Sequence, residues 1–294
     1  MSQTELFPAT ATTDKQASRV VNVASVPQRS PFRYAGGKTW LIPRVRAWLA
    51  ECGGPNKELI EPFAGGGIVS LTAACEDLVG HVTMVEKDEG VAAVWHLIFG
   101  GGAEWLANQI VEFELTPETA RAAIDNAEES LEARAFATIV KNRVNRGGIL
   151  ADGASFIKRG ENGKGITSRW YPETLKKRIL ALDRVKNKVT FVEGDAFDIC
   201  LENSERDDVV YFIDPPYIKA GRRLYRYSVI DHEALFSISE KLKGDFLMTY
   251  NNLDEVREMA LQKNFSMRPV AMKNAHHAEK KELLLGRNFE WFKA

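Results

Sequence analysis

The stretch VVYFIDPPYIKAGRRLYRYS, residues 209–228, ends an apolar run with an acid, two prolines and a tyrosine. Consecutive prolines cannot continue a strand ladder, so the Asp214 carboxylate and the Pro215 carbonyl would be held rigidly at a strand tip. Tyr217 adds a flat aromatic face beside them. This combination suits a protein that holds a planar base with an exocyclic amine. The cations that follow, interleaved with tyrosines, suit phosphate contacts: Lys219, Arg222, Arg223 and Arg226.

A second motif, EPFAGGG (residues 61–67), follows a short apolar run and precedes a helical pattern. Glycines at such a turn allow positive φ and let the backbone approach a ligand closely, and the helix that follows offers free N–H groups. The motif lacks the Lys-Ser/Thr of a phosphate loop and does not match GxGxxG. It favours a nucleotide-like ligand held without dependence on phosphate, and a plain tight turn is the alternative.

Two acids at later strand ends could complete such a site. Glu86, in TMVEKDE, could accept the hydroxyls of a ribose, with Asp88 as the competing residue. Asp195, in VEGDAFD, could accept a hydrogen bond from an adenine amino group while Phe197 packs against the ring. A helix N-cap would explain Asp195 equally well.

Strand and helix patterns alternate along most of the chain. Strands are predicted at ELIEPF, HVTMVEKD, KVTFVEGD, VVYFID, DFLMTYN, SMRPVAM and KELLLGRN. Two or three amphipathic helices are predicted over 104–144, one of them beginning near Pro117, and 145–170 reads as hairpin or loop. The alternation predicts an open, largely parallel α/β sheet, in which ligands bind beyond the carboxyl ends of the strands.

The net charge of −1 conceals two oppositely charged segments. Residues 112–132 hold seven acids against one arginine, whereas residues 141–178 hold ten Lys or Arg against three acids. A local excess of cations favours a polyanionic partner, although a solvated helix face is the simpler alternative. Candidate contacts to bases or phosphates in the basic segment are Arg143, Asn145, Arg146, Lys158, Arg159 and Arg169.

Composition excludes several classes of protein. No run approaches the roughly 18 apolar residues of a membrane span, and the first 30 residues lack the apolar core of a signal peptide. The three cysteines contain no CxxC, so they support neither a disulfide framework nor a zinc cluster, and no metal is expected. These features predict a cytoplasmic protein without a membrane partner.

Three motifs in order resemble a known family. FRYAGGK (residues 32–38), EPFAGGG and IDPPY look like the signature motifs of the alpha group of N6-adenine DNA methyltransferases, relatives of bacterial and phage DNA adenine methyltransferase. The order of the motifs matches as well as their residues. The resemblance extends over about residues 31–290, and each motif alone is less specific than the ordered set.

The resemblance implies S-adenosylmethionine as methyl donor. Phe63, Gly65 and Gly67 would form the turn beneath its methionine part, while Glu86 would bind the ribose and Asp195 the adenine. Glu86 is the preferred ribose contact. Asp88 stays open as the alternative, because many members of the family carry Asp at this position. The implied cofactor contacts are Tyr34, Lys38, Phe63, Gly65, Gly67, Glu86, Asp195, Phe197 and Asp214. The implied catalytic residues are Asp214, Pro215, Pro216 and Tyr217.

The implied fold is a Rossmann-like, seven-stranded methyltransferase sheet. Its catalytic domain would comprise residues 31–100 and 179–294, after a flexible tail (1–30) and around a helical, loop-rich target-recognition insertion (101–178). The implied partner is double-stranded DNA, methylated at N6 of a flipped-out adenine by a monomeric bacterial or phage enzyme, with or without a companion restriction endonuclease. An RNA adenine methyltransferase and a non-catalytic nucleic-acid-binding protein on the same scaffold are the alternatives.

Overall fold

The computed structural model describes residues 25–34, 36–151, 153–218, 227, 229–273 and 279–292. Seven strands are present in these residues: β1 Glu58–Glu61, β2 His81–Glu86, β3 Val189–Glu193, β4 Val209–Ile213, β5 Asp245–Asn251, β6 Ser266–Lys273 and β7 Glu279–Gly286. The α-helices in the same residues are α1 Ile42–Glu51, α2 Ile68–Cys75, α3 Glu89–Leu97, α4 Ala103–Glu112, α5 Pro117–Asp125, α6 Leu131–Val144, α7 Pro172–Asp183, α8 Ala196–Glu202, α9 His232–Lys241 and α10 Asp254–Gln262.

The strands form one sheet in the order β3-β2-β1-β4-β5-β7-β6. Neighbouring strands from β3 through β5 are parallel, whereas β7 runs antiparallel to both β5 and β6. The seven-stranded, Rossmann-like α/β sheet expected from the sequence is therefore confirmed. The strands predicted from the apolar runs are all present in it.

The strand order reverses direction between β1 and β4. From β1 the chain proceeds to β2 and then β3 on one side, and from β4 it proceeds to β5 on the other. In open α/β sheets such a reversal leaves a crevice at the carboxyl ends of the two central strands. The register pairs Ile60 with Tyr211, so the residues that follow both strands emerge side by side.

Strand β4 shows why the centre of the sheet is apolar throughout. All five of its residues are buried. Val210 and Phe212 belong to the core on one face of the sheet, while Val209, Tyr211 and Ile213 belong to the core on the other. A parallel strand covered on both faces is expected to be a continuous apolar run, as VVYFI is.

The helical region predicted over 104–144 consists of α4, α5 and α6, which confirms three helices. Helix α5 begins at Pro117, and Thr116 caps it by accepting from the Thr119 N–H. The stretch 145–170 contains short 3-10 turns and a bridge between Asn145 and Phe156. Helices α4 and α7 pack together, as do α3 and α6. A role of residues 101–178 in target recognition stays a prediction.

Helix α1 was not predicted from the sequence. Its signals are Pro43 in the first turn and buried apolar residues at Val45, Trp48 and Leu49. The preceding FRYAGGK segment reads as loop, and a helix of ten residues presents fewer than three turns of apolar spacing. Among the described residues, no helix combines the length and apolar character needed to cross a membrane.

The central position of β1 generates a stability prediction. Leu59 is fully buried in β1, so Leu59→Ala should lower the free energy of unfolding by about 2–5 kcal/mol through lost contacts and a cavity. The matched control is Leu261→Ala on α10, where the leucine is 64% exposed and the expected change is within about 0.5 kcal/mol. Denaturant unfolding of both variants measures the difference, and equal losses would contradict the burial argument.

Candidate functional site

The motifs that follow β1 and β4 meet at the strand-order reversal. The Glu61–Gly67 segment leaves β1, and Asp214 leaves the adjacent β4. Both border one cavity of about 980 Å³, a volume at the upper end of the range for small-molecule sites. The cavity therefore occupies the position that the fold favours for a ligand.

The glycine turn after β1 is held on both sides by hydrogen bonds. Gly65 N donates to Glu86 Oε2 at 2.8 Å, and Trp95 Nε1 donates to Gly65 O at 3.0 Å. Gly65 has φ 49°, and a Cβ added to it would lie 2.6 Å from Tyr34 Cε1. The Tyr34 ring therefore occupies the space that a side chain at position 65 would need. Both the positive φ and this close contact require glycine at position 65.

Glu86 lies at the end of β2, beside this turn. Besides Gly65 N, its carboxylate accepts from the Lys87 and Asp88 N–H groups, each at 2.9 Å. Burial raises the pKa of Glu86 to about 7, against the effect of these backbone donors. A carboxylate has about four acceptor positions, so three backbone donors leave one for a ligand hydroxyl.

The competing acid, Asp88, has a structural role. Its side chain caps α3 by accepting from Gly90 N at 3.0 Å and Val91 N at 3.1 Å. Both Glu86 and Asp88 line the cavity, but the Asp88 oxygen that caps the helix is already engaged. The geometry favours Glu86 as the hydroxyl acceptor, which stays a prediction.

Asp195 lies after β3 and caps α8, which confirms the N-cap interpretation. Its Oδ1 accepts from Phe197 N at 2.9 Å, and its Oδ2 accepts from Lys87 Nζ at 2.7 Å. Burial opposes ionisation of this carboxyl, but the Lys87 and Phe197 donors lower its pKa. Asp195 and Phe197 both line the cavity, so an adenine contact remains geometrically available and stays a prediction.

Asp214 is held by two donors at the tip of β4. Lys38 Nζ donates to its Oδ2 at 2.7 Å, and Thr249 Oγ1, on the neighbouring β5, donates to its Oδ1 at 2.5 Å. Lys38 also donates to Gly36 O at 2.8 Å and is 3% exposed. Burial alone would lower the pKa of Lys38, but the attraction of Asp214 and Glu282 raises it, so Lys38 is a buried ammonium group.

Tyr217 lies next to this ion pair. Its ring stacks on Tyr250 with centroids 6.2 Å apart, and Lys38 Nζ lies 5.2 Å from its ring centroid. Burial raises the pKa of Tyr217 well above its usual value. Asp214 and Pro216 line the cavity, whereas Pro215 and Tyr217 are not among the described residues that do. Stacking of Tyr217 on a substrate base therefore stays a prediction.

Three further residues that contact the site were not singled out from the sequence. Thr249 and Glu282 lie near the Lys38–Asp214 ion pair, and Trp95 contacts the glycine turn. Glu282 Oε2 lies 3.9 Å from Lys38 Nζ. The sequence feature that could have indicated Glu282 is the position of an acid directly before the apolar run LLL of β7. Thr249 had only its strand position as a signal. Trp95 lies within an apolar helix pattern, which gives no indication that its indole N–H reaches a glycine carbonyl.

The predicted cofactor residues converge. All nine of them line the one cavity: Tyr34, Lys38, Phe63, Gly65, Gly67, Glu86, Asp195, Phe197 and Asp214. They combine carboxylate acceptors, aromatic rings and a glycine turn, a set of groups that fits a nucleoside-containing cofactor. Their individual roles stay predictions.

The predicted nucleic-acid contacts differ in their accessibility. Arg146, Lys158 and Arg159 are exposed, whereas Arg169 forms an ion pair with Glu161. The structure corrects the prediction for Asn145, which is 1% exposed and donates to Ile149 O at 2.8 Å, because an enclosed amide cannot reach a base.

Arg143 is buried as well, hydrogen-bonded to Pro31 O, but it borders the cavity. Any ligand contact it makes is therefore made inside the cavity and not on the outer surface. The predicted contacts after the DPPY motif lie outside the described residues: Lys219, Arg222, Arg223 and Arg226.

No protein-family model matches the sequence, and a search of the curated proteins finds no match. Solved structures with a similar fold include a Pyrococcus horikoshii protein assigned as an RNA methyltransferase. Its sequence identity to this chain is 10% and the TM-score is 0.42, and the alignment covers 90% of this chain and 92% of that one. The rRNA methyltransferase aviRa from Streptomyces viridochromogenes has 13% identity, a TM-score of 0.38 and 86% coverage of both chains. An rRNA methylase from Streptococcus thermophilus has 8% identity, a TM-score of 0.36 and coverage of 83% and 92%.

Glu61, the first residue of the glycine motif, generates a prediction on pH dependence. Burial raises its pKa to about 8, although Ser70 N donates to it at 2.9 Å. The folded chain therefore keeps a proton that the unfolded chain releases above about pH 4.5, so this group reduces stability as the pH rises toward 8.

Glu61→Gln should remove this loss. The free energy of unfolding of the variant, minus that of the wild type, should rise by about 1.4 kcal/mol per pH unit between pH 5 and 8. Denaturant unfolding at several pH values measures the difference, with exposed Glu51→Gln as the control. Parallel pH profiles for wild type and Glu61→Gln would contradict a buried, protonated Glu61.

Proposed function

We propose that this protein transfers a methyl group from S-adenosylmethionine to N6 of a flipped-out adenine in double-stranded DNA. The observation that carries the proposal is the rigid placement of Asp214 at the tip of β4, beside the glycine turn of β1 and on the same cavity. The ordered resemblance of the three motifs supports adenine in DNA as the substrate. S-adenosylmethionine supplies an electrophilic methyl group on a sulfonium.

The residues of the cavity fit the proposed cofactor. One acceptor position remains on Glu86 for a ribose hydroxyl, and Asp195 with Phe197 can receive the adenine. The backbone at Gly65 is fixed by Trp95, so the floor of the site is formed before binding. Preorganisation of this kind reduces the ordering cost of binding.

Asp214 is the group proposed to orient the substrate amine. The lone pair of adenine N6 is delocalised into the ring, so the nitrogen must be positioned by acceptors for its hydrogens. Lys38 and Thr249 each occupy one oxygen of Asp214 and fix the carboxylate, leaving further acceptor capacity toward the cavity. The Pro215 carbonyl would take the second hydrogen. Catalysis then arises from positioning and from stabilisation of charge developing on nitrogen.

Base flipping requires free energy, because the adenine must be unpaired and unstacked before it enters the pocket. Extrusion of a paired adenine costs a few kcal/mol, which stacking and hydrogen bonds in a pocket can offset. Pro216 borders the cavity, and the next residue, Tyr217, stacks on Tyr250. We propose that the adenine enters at this end, next to Asp214.

Asp214→Asn tests the catalytic assignment. The variant keeps the size of the side chain but loses the charge and one acceptor, so methyl transfer should fall by about 100-fold or more. Binding of S-adenosylmethionine, measured by calorimetry, should remain detectable, because Glu86, Asp195 and the glycine turn are unchanged. The control is exposed Asp254→Asn on α10. A near-normal turnover number for Asp214→Asn would exclude the assigned role.

Expression of the full chain in a bacterial host without adenine methylation tests the substrate. Sequencing of the host DNA should show N6-methyladenine at one recurring short sequence. Unmodified DNA together with a folded, cofactor-binding protein would point to RNA as the substrate. Failure to bind S-adenosylmethionine would point instead to a non-catalytic nucleic-acid-binding protein.

A further inference from the structure

Four arginines from four different parts of the chain border the same cavity. Arg33 lies in the segment before α1, Arg143 on α6, Arg169 at the end of a 3-10 turn and Arg178 on α7. We call these four residues the arginine cluster. Their separation in sequence means that the tertiary structure alone brings them to one wall.

Three members of the arginine cluster are held in place by hydrogen bonds that involve the backbone. Arg143 donates to Pro31 O, and Arg178 Nη1 donates to Ser30 O at 3.1 Å. The backbone of Arg33 is fixed by Asn142, whose Oδ1 accepts from Arg33 N at 2.8 Å and whose Nδ2 donates to Arg33 O at 3.1 Å. The guanidinium groups of Arg143 and Arg178 are thus positioned before any ligand binds.

The positive charge of the cluster exceeds the negative charge paired with it. The ion pair recorded for the cluster among the described residues joins Arg169 to Glu161. Burial, and then the charges of Arg178, Arg33 and Arg169, lower the pKa of Arg143 to about 9. A buried charge without a counterion has an unfavourable desolvation free energy. We therefore expect an anionic ligand to neutralise these arginines.

Donor groups in the cluster remain without a partner. Arg143 is 4% exposed and its buried Nε has no hydrogen-bond partner, and the same holds for the buried Nη1 of Arg33. A guanidinium presents its N–H groups in a fork that matches the oxygens of an anion such as phosphate. An anion at the cavity wall would satisfy these N–H groups, so the cluster combines positive charge with unused donors.

We propose that the arginine cluster binds a backbone phosphate of the DNA substrate inside the cavity, which rests on the function proposed above. The alternative anion is the carboxylate of S-adenosylmethionine. That cofactor also carries an ammonium and a sulfonium, so its net charge is positive and four arginines would repel it. DNA carries a negative charge on each nucleotide, which the cluster attracts. Tyr171, which is 49% exposed, also borders the cavity and marks an opening to solvent.

Arg33→Gln is the variant that tests the subsite. No hydrogen bond from the Arg33 side chain holds another element among the described contacts, so its loss leaves the anchoring by Arg143 and Arg178 in place. Exposed Arg184→Gln, just after α7, removes the same charge away from the cavity and is the matched control. Arg33→Lys restores the charge. It therefore separates the loss of charge from a structural defect if Arg33→Gln binds DNA poorly.

Binding of a DNA duplex to each full-length protein is measured at several salt concentrations, and binding of S-adenosylmethionine is measured separately. Arg33→Gln should reduce the slope of log affinity against log salt by about 1, and Arg33→Lys should restore it. Arg184→Gln should keep the wild-type slope, and cofactor affinity should be unchanged in all variants.

The outcomes separate this proposal from the proposed function. An unchanged slope in Arg33→Gln, with DNA methylation intact in the wild type, would overturn the phosphate subsite alone. Weaker S-adenosylmethionine binding by Arg33→Gln, with DNA binding unchanged, would assign the cluster to the cofactor carboxylate and overturn the proposal. A reduced slope in Arg33→Gln, with DNA methylation intact in the wild type, would support the subsite, whereas a wild-type protein that binds DNA but methylates none would overturn the proposed function.

Discussion

The ion pair between buried Lys38 and partly buried Asp214 is the interaction on which the organisation of the site depends. It joins two residues 176 positions apart and fixes the segment before α1 against the tip of β4. Burial of the Lys38 ammonium costs several kcal/mol of desolvation, so the pair is a poor means of stabilising a fold. Its hydrogen bonds to Gly36 and Thr249 satisfy the groups that burial would leave unpaired. Such a pair is best explained by the need for a rigid carboxylate facing the cavity.

The order of the strands determines what that carboxylate faces. Because β1 and β4 are neighbours, the glycine turn and Asp214 lie at the same edge of the sheet. Glu86 supports the turn from β2, and Trp95 supports it from α3. The cavity therefore has the Glu86 carboxylate and the glycine turn at one part of its wall and the Asp214 carboxylate at another. The segment containing Tyr34 and Lys38 borders both, and Asn142 holds its start against α6.

Much of the fold and of the site was predictable because its signals are local. Continuous apolar runs marked the strands, and Pro117 marked the start of α5. The residues at the strand tips were predicted by type and position. Asn145 was misassigned because a polar side chain in a basic, glycine-rich stretch gives no sign that its amide binds a nearby carbonyl. Glu282 and Thr249 were missed because their roles come from strands that are neighbours only in the sheet.

The sequence by itself determined the alternation of strands and helices, the glycine turn and the acid at each strand tip, because these depend on local backbone and burial preferences. The tertiary structure alone decided which acids remain available to a ligand. It assigned Asp88 to a helix cap, paired Asp195 with Lys87 and buried Glu61, since hydrogen bonding and desolvation depend on neighbours far apart in the chain. It also gathered four arginines from separate elements around one cavity, because long-range packing places them there whatever their spacing in the sequence.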